Sequence, residues 1–181
     1  MKSDKSQLFK EIYESESDAI FRFCVIRVSN REQALDITQE TFLRLWQSLL
    51  EDKEIKNIKA FLFTVAHRLI IDWYRKKKSV SLDTIMINNE GEEFEYEKMH
   101  LASNENILGG AEGRYLLTKI DELPGSAREP IYLRFVEGLS PQEIGEILGI
   151  STNAASVRLN RGLVELRKKT GYDNGSNPTP K

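Results

Sequence analysis

The stretch Leu139 to Arg161 reads LSPQEIGEILGISTNAASVRLNR, and its punctuation predicts two short helices joined by a glycine turn. Ser140 is a good N-cap, Pro141 falls at the first helical position where its missing N–H goes unused, and Glu143 is placed to close a capping box. Ile144, Ile147 and Leu148 recur at helical spacing, Gly149 suits the left-handed residue that ends a helix, and Ser151 can cap the next. On a helical wheel Ala155, Leu159, Gly162 and Leu166 form the inner stripe of the second helix, while Asn153, Val157, Asn160 and Val164 point outward. This is the pattern of a helix-turn-helix. Thr152, Asn153, Ser156, Val157, Arg158, Asn160 and Arg161 then become the candidate DNA-reading residues. Residues at the start of such a helix reach base edges, arginines hold phosphate or guanine, and an outward valine suits a thymine methyl. An ordinary helical hairpin carries the same punctuation, so the rest of the chain has to decide.

The chain has 181 residues, 40% hydrophobic and 30% charged, which is enough apolar content for one domain or two small ones. It contains no apolar run long enough to span a bilayer and no secretory leader, so a cytoplasmic setting without membrane insertion is expected. The lone Cys24 cannot form an internal disulfide and falls in the apolar-rich stretch Ile20 to Val28, which makes it a core candidate. His67 and His100 lie in no metal-ligand spacing, and there is no glycine-rich phosphate loop or nucleophile elbow. No metal, no cofactor and no catalytic residue is expected, and the chain does not read as an enzyme. The net charge of −2 hides an asymmetry: Asp83, Glu90, Glu92, Glu93, Glu95, Glu97, Glu105 and Glu112 sit in one segment against a single basic residue, Lys98. The remainder is basic, as a nucleic-acid partner requires.

Leu8, Ile12, Ala19 and Phe23 trace a long first helix ending near Ser29. Asn30 caps a second, with Gln33 in the capping-box position, and its inner face is Ala34, Leu35, Thr38, Phe42, Leu45, Trp46 and Leu49. The outer face, Asp36, Glu40, Arg44 and Gln47, is interrupted by Ile37 and Leu43, which points to a protein partner. A third helix is predicted from about Ile58 to Lys77, with Leu62, Ala66, Leu69, Ile70 and Trp73 inside and Thr64, Arg68, Ile71, Arg75 and Lys78 outside. The outer stripe runs into Arg75-Lys76-Lys77-Lys78, with His67 and Tyr74 alongside. Cations interleaved with aromatic rings suit melted nucleic acid, because charge neutralises phosphate and rings stack on bases; a basic last turn complementing the helix dipole reads equally well.

Residues 79–113 lose periodicity and read as a flexible acidic linker with a short helical stretch around Phe94 to Ala102. The second module, 114–170, opens with a helix over Arg114 to Leu123; Ser126 is expected to cap the next, Glu129 to sit in its capping box and Pro130 to disturb its first turn. Residues 171–181 are expected to be a disordered tail. The fold class is therefore all-α, with two small helical domains (1–78 and 114–170) on either side of the linker.

At this point the sequence resembles a bacterial sigma factor, and more narrowly the extracytoplasmic-function (ECF) type of the sigma-70 family. Ala34 to Trp46, with its D-x-T-Q-E-x-F-x-x-x-W run, resembles the core-polymerase-binding segment of region two; Ala60 to Arg75 resembles the promoter-melting helix, and Leu123-Pro124 through Arg167 resembles region four. The resemblance implies that Asp36, Gln39, Glu40, Leu43 and Gln47 meet core RNA polymerase. It implies that Lys53, Asn57, Arg68, Ile71, Arg75, Lys76 and Lys78 engage the minus-ten region, double-stranded and then melted, and that the helix-turn-helix reads the minus-thirty-five element. The acidic linker would run through polymerase channels as a phosphate mimic, and an anti-sigma factor would occlude these surfaces until released. Arg68 stands where the family often has Asn, and Ser156-Val157 where it often has Lys-Ser, so both bear on promoter sequence. Two readings compete: a helix-turn-helix repressor or response-type regulator whose first module senses a ligand or dimerises, and a protein-only adaptor. The basic stripe at Arg68, Arg75 and Lys78 argues against the second.

Overall fold

The computed structural model describes residues 2–81 and 111–171, and among these residues there are helices and no strands. Helix α1 spans Lys2–Val28, α2 Arg31–Leu50 and α3 Ile58–Ser81. The reversal between α1 and α2 takes two residues: Ser29 adopts a left-handed φ of 53°, and the Asn30 side chain accepts a hydrogen bond from the Gln33 amide. The cap is therefore the expected Asn30, which fixes where α2 starts and hence which face it buries.

Ile20, Phe23, Leu45, Leu62, Phe63 and Ile70 are wholly buried where the three helices meet, and the Phe23 and Phe63 rings pack edge to face at 5.0 Å. The wheel of α2 is rotated from the expected one. Ile37 is buried at 5% exposure, whereas Leu35 is 41% exposed, so Ile37 belongs to the core and Leu35 to the outside. The inner face of α2 serves both α1 and α3, and such a broad buried arc reaches positions that a single stripe assigns to solvent.

The C-terminal helices are α4 (Ala111–Asp121), α5 (Gly125–Phe135), α6 (Pro141–Leu148) and α7 (Thr152–Thr170). Helix α3 thus runs to Ser81 and α4 begins at Ala111, inside both ends of the stretch expected to be linker. The helical stretch expected at Phe94 to Ala102, the acids of the linker and the tail beyond Gly171 lie outside the described residues.

The turn chemistry at α6 and α7 follows the sequence closely. Ser140 and Glu143 form both halves of a capping box, Gly149 ends α6 with φ of 67°, and Ser151 accepts from the Ala154 amide to start α7. Helix α5 departs from expectation. It starts at Gly125 behind Pro124 with no side-chain cap, so Ser126 is not its cap and Glu129 is not in a capping box. It also continues through Pro130, which is buried among its neighbours; packing carries what the backbone loses there.

Gly145 makes the helix-turn-helix corner possible. A Cβ at this position would lie 2.8 Å from the Ile150 carbonyl oxygen and 3.4 Å from backbone atoms of Ser151 and Thr152. Those atoms are main chain and cannot rotate away. Gly145→Ala is expected to lower stability by about 1–3 kcal/mol despite the better helix propensity of alanine, as read from the urea midpoint; an unchanged midpoint would contradict the close approach.

Candidate nucleic-acid and protein interfaces

Three surfaces carry the candidate residues. On α2, Asp36, Gln39, Leu43 and Gln47 form one exposed stripe at helical spacing, while Glu40 is half-buried and holds Arg44 at 2.9 Å. Leu43, 48% exposed, borders an apolar groove of about 450 Å³ floored by Phe9, Tyr13, Phe42 and Trp46. The Tyr13 and Phe42 rings lie 4.8 Å apart and those of Phe9 and Trp46 5.3 Å apart, so the groove is a rigid aromatic shelf beside a polar stripe. The sequence offered Leu43 but not this shelf, because Phe9 and Tyr13 come from α1.

The second surface joins the loop after α2 to α3. Asn57 caps α3 by accepting from the Ala60 amide at 2.9 Å. Lys53, Asn57 and Arg68 share one cleft of about 720 Å³, which the far wall, α6, lines with Glu143 and Glu146. Half-buried Ile71 and exposed Arg75 and Lys76 continue along α3 outside this cleft, and the Lys77 ammonium lies 5.0 Å above the Trp73 ring. Lys78 lies in α3, but its side chain falls outside the described part.

His67 does not join the basic stripe. It is 2% exposed, and burial pushes its imidazole down to about 4 against the pull of Glu129, so it is neutral at pH 7. Tyr74 also turns inward, its hydroxyl donating to the Arg27 carbonyl oxygen.

The third surface is α7. Thr152, Asn153, Val157, Asn160 and Arg161 are exposed, and Ser156 and Arg158 are half-buried on the flanks. Ser156 donates back to the Thr152 carbonyl at 3.0 Å. Val157 keeps 39% of its surface in water although Ala155 and Leu159 beside it are buried, so the outward apolar residue is real.

Sequence reasoning missed a fourth set of residues, which joins the two groups of helices. The Arg27 guanidinium on α1 is wholly buried and donates to both carboxylate oxygens of Glu129 on α5, at 3.1 and 2.7 Å. It also donates to the Phe23 carbonyl at 2.8 Å and lies between the rings of Phe23 and Tyr132, 3.5 and 4.5 Å from their centroids. Beside it Glu137 accepts from Tyr132 at 2.8 Å and from Arg22 at 3.3 Å, while Lys59 donates to the Glu137 carbonyl at 2.7 Å. The available signal was a charge set within or against an apolar run: Arg27 interrupts Phe23 to Val28, and Glu129 directly precedes Pro130 to Leu133.

Models of two family regions match the chain, Sigma-70 region 2 over residues 12–80 and Sigma-70 region 4 over residues 113–166. The RNA polymerase sigma factor SigV of Bacillus subtilis is 31% identical over 150 residues, covering 81% of each chain. The chain is an ECF-type member of the sigma-70 family. The ECF RNA polymerase sigma factor SigW of Bacillus subtilis is 29% identical to it over 93% of its length and 92% of the relative. In fold, this sigma factor resembles RpoE from Bartonella quintana, solved with the anti-sigma factor NepR, with TM-score 0.65 and 22% identity over 92% of this chain and 98% of that one. It likewise resembles CnrH in complex with the cytosolic domain of CnrY, with TM-score 0.59 and 19% identity over 93% and 91%. No helix among its described residues is long and apolar enough to cross a membrane.

The buried His67 gives the sigma factor a measurable acid sensitivity. Its folded pKa of about 4 lies below the unfolded value of 6.5, so its contribution is complete above the unfolded value and is lost as pH falls through the window between the two. Between about pH 7.5 and pH 4 the wild type should lose about 3 kcal/mol more than His67→Gln, as measured by denaturant titration at each pH. Parallel losses in the two proteins would place the imidazole in water.

Proposed function

We propose that the three surfaces divide the work of transcription initiation. The α2 stripe of Asp36, Gln39, Glu40, Leu43 and Gln47, with the aromatic shelf beside it, binds core RNA polymerase. Leu43 supplies an apolar anchor and the polar residues around it set orientation. Lys53, Asn57 and Arg68, followed along α3 by Ile71, Arg75, Lys76 and Lys78, engage the minus-ten region and one strand of it once melted. Cations there hold phosphate, and the cleft has room for a base taken out of the stack. Helix α7 reads the minus-thirty-five element through Thr152, Asn153, Ser156, Val157, Arg158, Asn160 and Arg161.

The observation that carries this reading is that the exposed α2 stripe and the cleft of Lys53, Asn57 and Arg68 fall within the match to Sigma-70 region 2, and the start of α7 within the match to region 4. A repressor would need no such stripe. Bond formation is left to the polymerase, so the protein acts in the cytoplasm as a specificity factor and not as an enzyme. Control by an anti-sigma factor is supported by the two structural relatives solved with such partners or with a cytosolic partner domain.

Leu43→Lys is expected to weaken binding to core polymerase at least about tenfold, the consequence of losing about 1.5–3 kcal/mol of apolar anchoring, with the helical content unchanged. Fluorescence titration of core polymerase with the labelled protein checks it, and undiminished affinity would move the contact elsewhere. Arg158→Ala should cost about 1–3 kcal/mol in selection of the minus-thirty-five element, read as the relative transcription of promoters altered in that element alone; an unchanged ranking would remove Arg158 from the reading set.

A further inference from the structure

We propose that Lys5 is a positioning residue for promoter recognition: from the start of α1 it grips the turn that ends α2, and so holds the loop 53–57 in the shape that presents Lys53 to the minus-ten region. This rests on the minus-ten reading of Lys53, Asn57 and Arg68. Helix α2 ends in a Schellman turn. The Lys53 amide donates back to the Ser48 carbonyl at 3.0 Å, the Asp52 amide donates to the Leu49 carbonyl at 3.3 Å, and Asp52 holds the left-handed φ of 53° that such a turn needs. Glycine adopts this backbone without steric cost, so a carboxylate here answers to a different requirement. It accepts from the Lys5 ammonium at 2.6 Å. The same ammonium donates to the Leu50 carbonyl at 3.4 Å, one of the carbonyls left open at a helix end, across 45 residues of sequence.

The loop is anchored at both ends. At the far end Asn57 accepts from the Ala60 amide at 2.9 Å and fixes where α3 begins. At the near end the Schellman turn and the Lys5 clip fix how the chain leaves α2. Lys53 directly follows the left-handed residue, so any change in that residue's dihedrals swings Lys53 relative to the cleft it lines. The Lys5 side chain is 22% exposed and that of Asp52 73%, so the lysine stem is packed while its ammonium reaches the carboxylate at the surface. An ion pair open to water on one side adds little to global stability. Its effect falls instead on the population of one loop shape. Forming the turn and aiming the loop are therefore separable, because glycine supplies the first without the second.

Asp52→Gly in the full chain makes that separation. Glycine keeps the left-handed turn, so the urea midpoint should stay the same or rise. With core polymerase added, transcription from a matched promoter is compared with transcription from promoters altered in the minus-ten element alone, and this discrimination should fall about threefold. Lys5→Met should lower it equally, and Lys5→Arg should retain most of it. The double variant Lys5→Met/Asp52→Gly should lose no more than either single variant, as expected of one shared contact. The ranking of promoters altered in the minus-thirty-five element should be the same in every variant. Undiminished minus-ten discrimination in Asp52→Gly overturns the assignment, as do additive losses in the double variant or equal loosening at both elements. A lowered urea midpoint in Asp52→Gly would give the carboxylate to the turn itself and overturns it too. Failure of the minus-ten reading looks different: Lys53→Ala/Arg68→Ala then leaves the minus-ten ranking unchanged, whereas failure of the Lys5 assignment alone leaves that double substitution damaging.

Discussion

The arrangement depends on the bidentate pair between Arg27 and Glu129, 102 residues apart in sequence and buried where the N-terminal and C-terminal helices share one core. Such a pair contributes little net stability, because removing both charges from water offsets most of their attraction. What it does supply is register. Planar guanidinium geometry, the Phe23 and Tyr132 rings above and below it and the neighbouring Glu137 contacts fix how α5 sits on α1. Once that contact is set, α6 lies against α3 and the Glu143 carboxylate meets Asn57. Losing one charge alone would leave the other buried without its partner, at a cost of about 3–5 kcal/mol.

The same contacts explain why each module tolerates being a small domain. The N-terminal helices bury Ile20, Phe23, Leu45 and Ile70, and the C-terminal helices bury Ile120, Leu123, Ile144 and Leu159. Tyr132 and Phe23, their rings 6.3 Å apart, make the two sets of residues one continuous core. Polar groups at this junction are largely paired, with Glu137 accepting from two side chains and its carbonyl from Lys59.

Local features were legible in the sequence wherever chemistry and geometry coincide within a few residues. The capping box at Ser140, the left-handed Gly149 and the caps at Asn30 and Ser151 are short-range and stand where the residue types require. Exposure of Val157 also followed from the wheel. What was not legible depends on partners distant in the chain. Ile37 and Leu35 exchanged faces because α2 packs on two helices, and His67 left the basic stripe because a neighbouring element covers it. Glu129 illustrates the limit most clearly: its spacing from Ser126 suggested a cap, while its partner lies 102 residues away. The polar stripe on α2 was visible in the sequence, but the aromatic shelf beside it, supplied in part by Phe9 and Tyr13 of α1, was not.

The α2 stripe with its aromatic shelf, the cleft that holds Lys53, Asn57 and Arg68, and the exposed face of α7 lie on one chain whose helices match both sigma-70 regions. Transcription by purified core polymerase, with and without the protein, across a library of promoters tests the proposed division of work most directly. The proposed function predicts promoter-specific initiation only when the protein is added; no binding to core polymerase, or no promoter-specific initiation in its presence, would contradict it.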